Sequence, residues 1–149
     1  MRVRNWVGAS ALVLVWTEAV AQERVPAGHI KIVNGSVTIL RAGTTVPAQP
    51  GVAVFETDAI RTGADGRVGI TLQDDTRISL GPTSEMKLDR FNYAPAEGRL
   101  AVVLKFVRGI AAYVSGRIAT LSPDAVRLET PAAIVGVRGT TLAIRADVK

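Results

Sequence analysis

The cleanest alternation of apolar and polar positions lies between Ala59 and Leu88. Val68, Ile70 and Leu72 alternate with Arg67, Gly69, Thr71 and Gln73, and beyond Asp74-Asp75 the residues Thr76, Ile78 and Leu80 alternate with Arg77 and Ser79. A period of two sends one set of side chains into a core and the other into water, so these runs predict two strands paired antiparallel across a two-residue acidic turn. Gly81-Pro82 ends the second strand, since proline brings no ladder donor, and Met86 and Leu88 resume the alternation. Upstream, Ile30 and Ile32, then Asn34-Gly35, then Val37 and Ile39 predict a hairpin, Asn-Gly being a strong hairpin signal. Residues 42–50 and 90–99 read as loops, punctuated by Gly43, Pro47, Pro50, Pro95 and Gly98, with Phe91 and Tyr93 tucked under a sheet edge.

The second half of the chain continues the pattern. Leu100, Val102, Leu104 and Phe106 alternate in a long strand whose other face, with Ala101, Val103 and Val107, is also apolar. Apolarity on both faces predicts a central strand. Arg108-Gly109 bends it, and residues 110–114 carry it on. Val126 and Leu128 lead into Thr130-Pro131, and residues 132–137 and 141–144 predict the last strands, joined at Arg138-Gly139-Thr140. No helix of ordinary length is predicted. The expectation is an all-β domain, its antiparallel hairpins forming a sandwich, a jelly-roll-like arrangement or a short β-roll.

The N-terminal end reads differently. Arg2 and Arg4 precede an apolar centre from Val7 to Trp16, and Ala19-Val20-Ala21 gives a small-x-small cleavage pattern. Residues 1–21 are therefore expected to be a signal peptide cleaved before Gln22, the apolar run being shorter than the roughly 20 residues of a spanning helix. Residues 22–29 form a polar leader and 30–149 the β domain. The expected location is periplasmic or secreted, with no stable membrane span after cleavage.

Composition narrows the functional classes. At 149 residues and 48% hydrophobic content the chain is one globular domain. Formal charge is +5, and the arginines are scattered as expected of solvated outer-face positions, so no nucleic acid partner is expected. Cysteine is absent, which excludes disulfides, thiolate-bound zinc and a thiol nucleophile. The single histidine, His29, has no second histidine beside it to make a metal site or a base. Asp58, Asp65, Asp74, Asp75, Glu85, Asp89, Glu97 and Asp124 fall in no pattern that specifies an acid–base pair or a calcium loop. The phosphate-binding loop, the dinucleotide fingerprint and the nucleophile elbow are missing. A non-enzymatic protein without cofactor or metal is expected.

The order of short motifs carries a family resemblance. Asp58-Ala59-Ile60-Arg61-Thr62, Gly66-Arg67-Val68, Asp74-Asp75-Thr76, Ile78-Ser79-Leu80 and Ser84, with Thr130-Pro131 and Val137-Arg138-Gly139-Thr140 further on, resemble the FecR domain of bacterial periplasmic proteins. That family shows D-x-I-x-T, a D-G-S/T turn, an L-x-P-x-S exit and a closing T-P followed by V-R-G-T. Asp75 stands where glycine is usual, and Gly81 separates Leu80 from Pro82. The resemblance implies an envelope binding or signalling module, linked to envelope or iron-uptake signalling, whose partner is a protein such as the periplasmic domain of an outer-membrane receptor. A cleavable leader in place of a cytoplasmic region and spanning helix sets this chain apart from relatives that regulate a sigma factor directly. The alternative class is a cell-envelope scaffold or polysaccharide-binding domain. The strand 141–145 is expected to have either an open edge, which would take a partner or a second copy by strand addition, or cover from 30–33. Arg138, Gly139, Thr140 and Arg145 are the candidate partner-binding residues, with a structural role open for Arg138.

Overall fold

The computed structural model describes residues 24–137 and 141–147. The expected signal peptide, its cleavage site and the Arg138-Gly139-Thr140 junction lie outside the described residues. Alternation becomes strands in the order β1 (Gly28–Asn34), β2 (Val37–Arg41), β3 (Thr44–Pro47), β4 (Ala53–Val54), β5 (Ala59–Thr62), β6 (Arg67–Leu72), β7 (Arg77–Leu80), β8 (Glu85–Ala94) and β9 (Arg99–Val114). A five-residue helix α1 (Arg117–Leu121) follows, then β10 (Val126–Glu129), β11 (Ile134–Gly136) and β12 (Thr141–Ala146). The all-β expectation holds.

The strands form one curled sheet of two halves that share β9. The first half runs β4-β1-β6-β7-β9-β12 and the second β3-β2-β5-β8-β9-β10-β11. Ranks match across the curl: β1 leads into β2, β5 into β6, β7 into β8, and β9 crosses by itself. Inward residues stack in register rows, Ile30–Ile70–Ile78–Tyr113–Leu142 in the first half and Val46–Ile39–Ile60–Met86–Phe106 in the second. Most are fully buried in one shared core. Each large aliphatic side chain so buried contributes about 1.5–3 kcal/mol, so the rows drive the two halves together.

The four crossings are tied side by side. Gly63 N–H donates to Ser36 carbonyl at 2.9 Å, and Thr83 N–H to Gly63 carbonyl at 2.9 Å. The Ser84 hydroxyl then meets the backbone of the next crossing, accepting from Ile110 N–H at 3.0 Å and lying 3.2 Å from Ile110 carbonyl. Gly109, at φ +91°, is where β9 turns, and a Cβ there would lie 2.6 Å from Ser84 Cα. Only glycine fits this approach.

Several sequence expectations are corrected. Asn34-Gly35 does not close a hairpin, because β1 pairs with β4 and β6 while β2 pairs with β3 and β5. The turn instead carries the chain between halves, with Gly35 at φ +67° packed against the Asp65 carbonyl. Ile32, beyond a bulge in β1, is 60% exposed. The loop expected at 42–50 contains β3, reached by an Ala42-Gly43 turn with both residues at positive φ, and Pro47 is tolerated because β3 is an edge strand. The loop expected at 90–99 is mostly strand, since β8 follows β9 through Ala94↔Arg99; Phe91 and Tyr93 pack half-buried against the core.

The acidic turn spans three residues. Asp75 N–H donates to Leu72 carbonyl at 3.0 Å and Leu72 N–H to Thr76 carbonyl at 2.8 Å, with Asp75 at φ +67° doing the work of the usual glycine. One ladder is parallel, β10 against β9 from Val126↔Val102 to Glu129↔Lys105, and α1 supplies the crossover that such a pair needs.

Replacing Gly109 with alanine adds left-handed strain and a clash with Ser84. It is expected to cost about 2–4 kcal/mol, read as a lower urea midpoint. A change of less than about 0.5 kcal/mol would show that the crossing relaxes freely.

Candidate functional site

Asp58, Thr62, Asp74, Thr76 and Ser84 are the buried polar residues among those described. Asp58, at the foot of β5, accepts a fork from Arg41, with Nε to Oδ1 at 3.0 Å and Nη2 to Oδ2 at 2.8 Å, and a further bond from Phe55 N–H at 2.9 Å. Arg41 also donates to Ala53 carbonyl at 2.9 Å and stacks over the Phe55 ring at 4.6 Å. The hydrogen bonds that Arg41 donates to Asp58 raise its pKa above its ordinary value against the opposing effect of burial, so the guanidinium stays charged. Arg24 covers the same ring at 5.3 Å.

Thr62 joins the ends of β5 and β7. Its hydroxyl lies 2.7 Å from Gly81 carbonyl and accepts from Ser84 N–H at 2.8 Å. Asp74 caps the crossover: Oδ1 accepts from Thr76 N–H at 3.1 Å, and Oδ2 accepts from the Thr76 hydroxyl at 2.8 Å and from Ile118 N–H at the start of α1 at 3.2 Å. Gly116 lets the helix entry press against Asp74 and Thr76 backbone atoms. Tyr113 ends in the same region, its pKa raised mainly by burial and further by the Asp74 charge, with Ser115 and Thr76 opposing. Because an unfolded tyrosine ionises near pH 10, this stabilisation is complete below that pH and lost as pH rises above it. The Thr62 hydroxyl and the Asp74 carboxylate are thus engaged with backbone, while the buried Tyr113 hydroxyl has no hydrogen-bond partner among the described residues.

Arg145 of β12 is exposed and pairs only loosely with Asp147, at 3.6 Å, whereas Gly139, Thr140 and Arg138 lie outside the described residues. Strand β12 pairs with β9 from Thr141↔Val114 to Ala146↔Gly109, and no strand among the described residues covers its other edge. Residues 30–33, the alternative cover, belong to β1 and pair with β6. Beside β12 a cleft of about 420 Å³ is lined by Val126, Arg127, Ile134, Val135, Val137 and Leu142. Ile134 is 69% exposed there. His29 sits half-buried in β1 between Ala53 and Thr71, and no group of three His, Asp or Glu side chains among the described residues is placed to hold a metal ion.

Residues 58–149 match the family described as FecR protein. The chain belongs to the FecR family. The match starts at Asp58, so the buried carboxylate that opens the D-x-I-x-T strand is held by an arginine 17 residues earlier, outside the matched span. No curated protein and no solved structure matches the chain. A FecR domain is a signalling-related domain, and the motif residues Thr62, Asp74 and Ser84 here tie crossings and turns. Sequence reasoning missed Arg41, which stands at a strand end with no local signal of its partner.

Removing either member of the Arg41–Asp58 pair is expected to destabilise unequally. Asp58 is fully buried and Arg41 is about one-quarter exposed, so Arg41→Ala strands a buried carboxylate and costs about 3–5 kcal/mol, while Asp58→Ala leaves a cation that can turn to water and costs about 1–3 kcal/mol. A double-mutant cycle by chemical denaturation checks this, and equal single costs with no coupling would reject the pair as a stabilising unit.

Proposed function

We propose that the mature chain is an exported, non-enzymatic FecR module of the periplasm, which binds a protein partner in the envelope, such as the periplasmic domain of an outer-membrane receptor, and serves envelope or iron-uptake signalling. Three features support this reading. The family supplies a signalling-related domain. The buried polar side chains of its motifs are engaged with backbone, with Arg41 or with one another, which suits a module that works through its surface. The observation that carries the binding role is the open edge of β12, six residues long. Along that edge, which no strand among the described residues covers, N–H and C=O groups are arranged to accept another strand, with Arg145 exposed beside them.

Export is expected to leave a protein beginning at Gln22 in the periplasmic fraction, as N-terminal sequencing of that fraction would show. Full-length chain retained in the inner membrane would overturn the export reading.

The edge is tested by a pair of substitutions. Successive N–H groups of a strand point to opposite edges, so one of Leu142→Pro and Ala143→Pro removes a donor to β9 and the other a donor to the open edge. One variant is expected to lose stability; the other to stay folded by circular dichroism and lose binding to a receptor's periplasmic domain. Binding retained by a folded variant of each kind would mean that the edge is not the interface.

A further inference from the structure

The outward faces of the two halves differ in kind. On the second half, charges of both signs meet across neighbouring strands: Arg61 and Arg108 flank Glu85 at 3.2 and 3.8 Å, and Lys105 lies 3.5 Å from Asp89 and 3.9 Å from Glu129. On the first half, the register sets Ile32, Gly69, Ser79, Ala112 and Ala143 in one row across β1, β6, β7, β9 and β12. Small side chains leave a trough of about 380 Å³, bounded by Ile32 and by Ile110, which is 54% exposed. No aspartate or glutamate lines it. Arg67 is part of its lining, and Arg77 lies two residues beyond Ser79 along β7, on the same face past the other side of the row; both are exposed and neither is within ion-pair distance of a carboxylate among the described residues.

We propose that this trough is a second docking surface, which takes a short acidic segment of a protein partner, its apolar side chains seated on the row from Ile32 to Ala143 and its carboxylates meeting Arg67 and Arg77. The proposal rests on the reading of the chain as a binding module and adds the chemistry of what it binds. Charge chooses the occupant. A second copy placed face to face would bring like charges against each other. A polysaccharide would find no aromatic platform in the lining. The row spans four interstrand steps, about 19 Å, which an extended segment of about six residues covers.

The test uses the mature protein and three synthetic peptides of about eight residues, long enough to cover the row with a residue to spare at each end. One alternates leucine with glutamate, one leucine with lysine, and one serine with glutamate. The expected result is amide shifts by NMR at Gly69, Ser79 and Ala112 with the leucine–glutamate peptide, at an affinity about tenfold or more above either control. Ala112→Glu, at an exposed position, should abolish the shifts; the Arg67→Glu, Arg77→Glu double variant should weaken binding about tenfold. Ala143→Glu serves as a second blocking variant if Ala112→Glu fails to fold. Equal binding of the lysine peptide, or no binding of any peptide, overturns the proposal. So does concentration-dependent dimerisation that Ala112→Glu abolishes, since the occupant would then be a second copy. Shifts confined to β12 would overturn the trough while leaving the edge reading intact.

Discussion

Curling one sheet into two facing halves forces the backbone to cross a corner repeatedly, and at each crossing ladder hydrogen bonds are interrupted. The N–H and C=O groups freed there sit beside a core and need partners, because an unpaired buried group costs about 1–3 kcal/mol. In this chain the crossings supply one another: Ser36 to Gly63, Gly63 to Thr83, and the Ser84 hydroxyl to Ile110. Thr62 adds a bridge from β5 to Gly81 and Ser84. The inward rows can close on each other only because this corner is satisfied. The small residues at 35, 66 and 109 keep the crossings near enough to do it.

Local periodicity carried much of this architecture, and non-local pairing carried the rest. The alternations of 68–72 and 76–80 place Val68, Ile70, Leu72, Ile78 and Leu80 inside as expected, and the doubly apolar run from Leu100 belongs to the central strand. Asn34-Gly35 misled because a turn's backbone preference does not determine which strands pair beyond it; Ile30 found Ile70, 40 residues away, instead of Ile39. Residues 90–94 were hidden by mixed polarity, since Arg90, Asn92 and their neighbours lie at a half-exposed end where the ladder to β9 supplies the order. The parallel placement of β10 had no local sign, its direction being set by the crossover through α1.

The candidate site divides the same way. The motif residues were visible in the sequence, but their role was not: Asp58, Thr62, Asp74 and Ser84 carry no local sign of their partners and prove to be ties in three dimensions. For the edge of β12 two readings stood open in one dimension, free or covered by residues 30–33, because strand pairing is non-local; residues 30–33 pair with β6 instead. The row from Ile32 to Ala143 was not legible, because its members are spread over 112 positions and meet only through four successive registers.

The double flanking of β9 also sets a clock. Residues 102–105 lie between β8 and β10, and residues 111–114 between β7 and β12, so both edges of the strand are covered along these stretches. Of those amides, the ones that donate to β7 or β8 are expected to exchange only when the middle of the sheet opens, whereas the ones that donate to β10 or β12 need only that strand to lift away. Strand β12 is expected to show two populations within six residues: alternate amides shielded by β9, and between them amides on the edge that no strand among the described residues covers, which exchange from the native state.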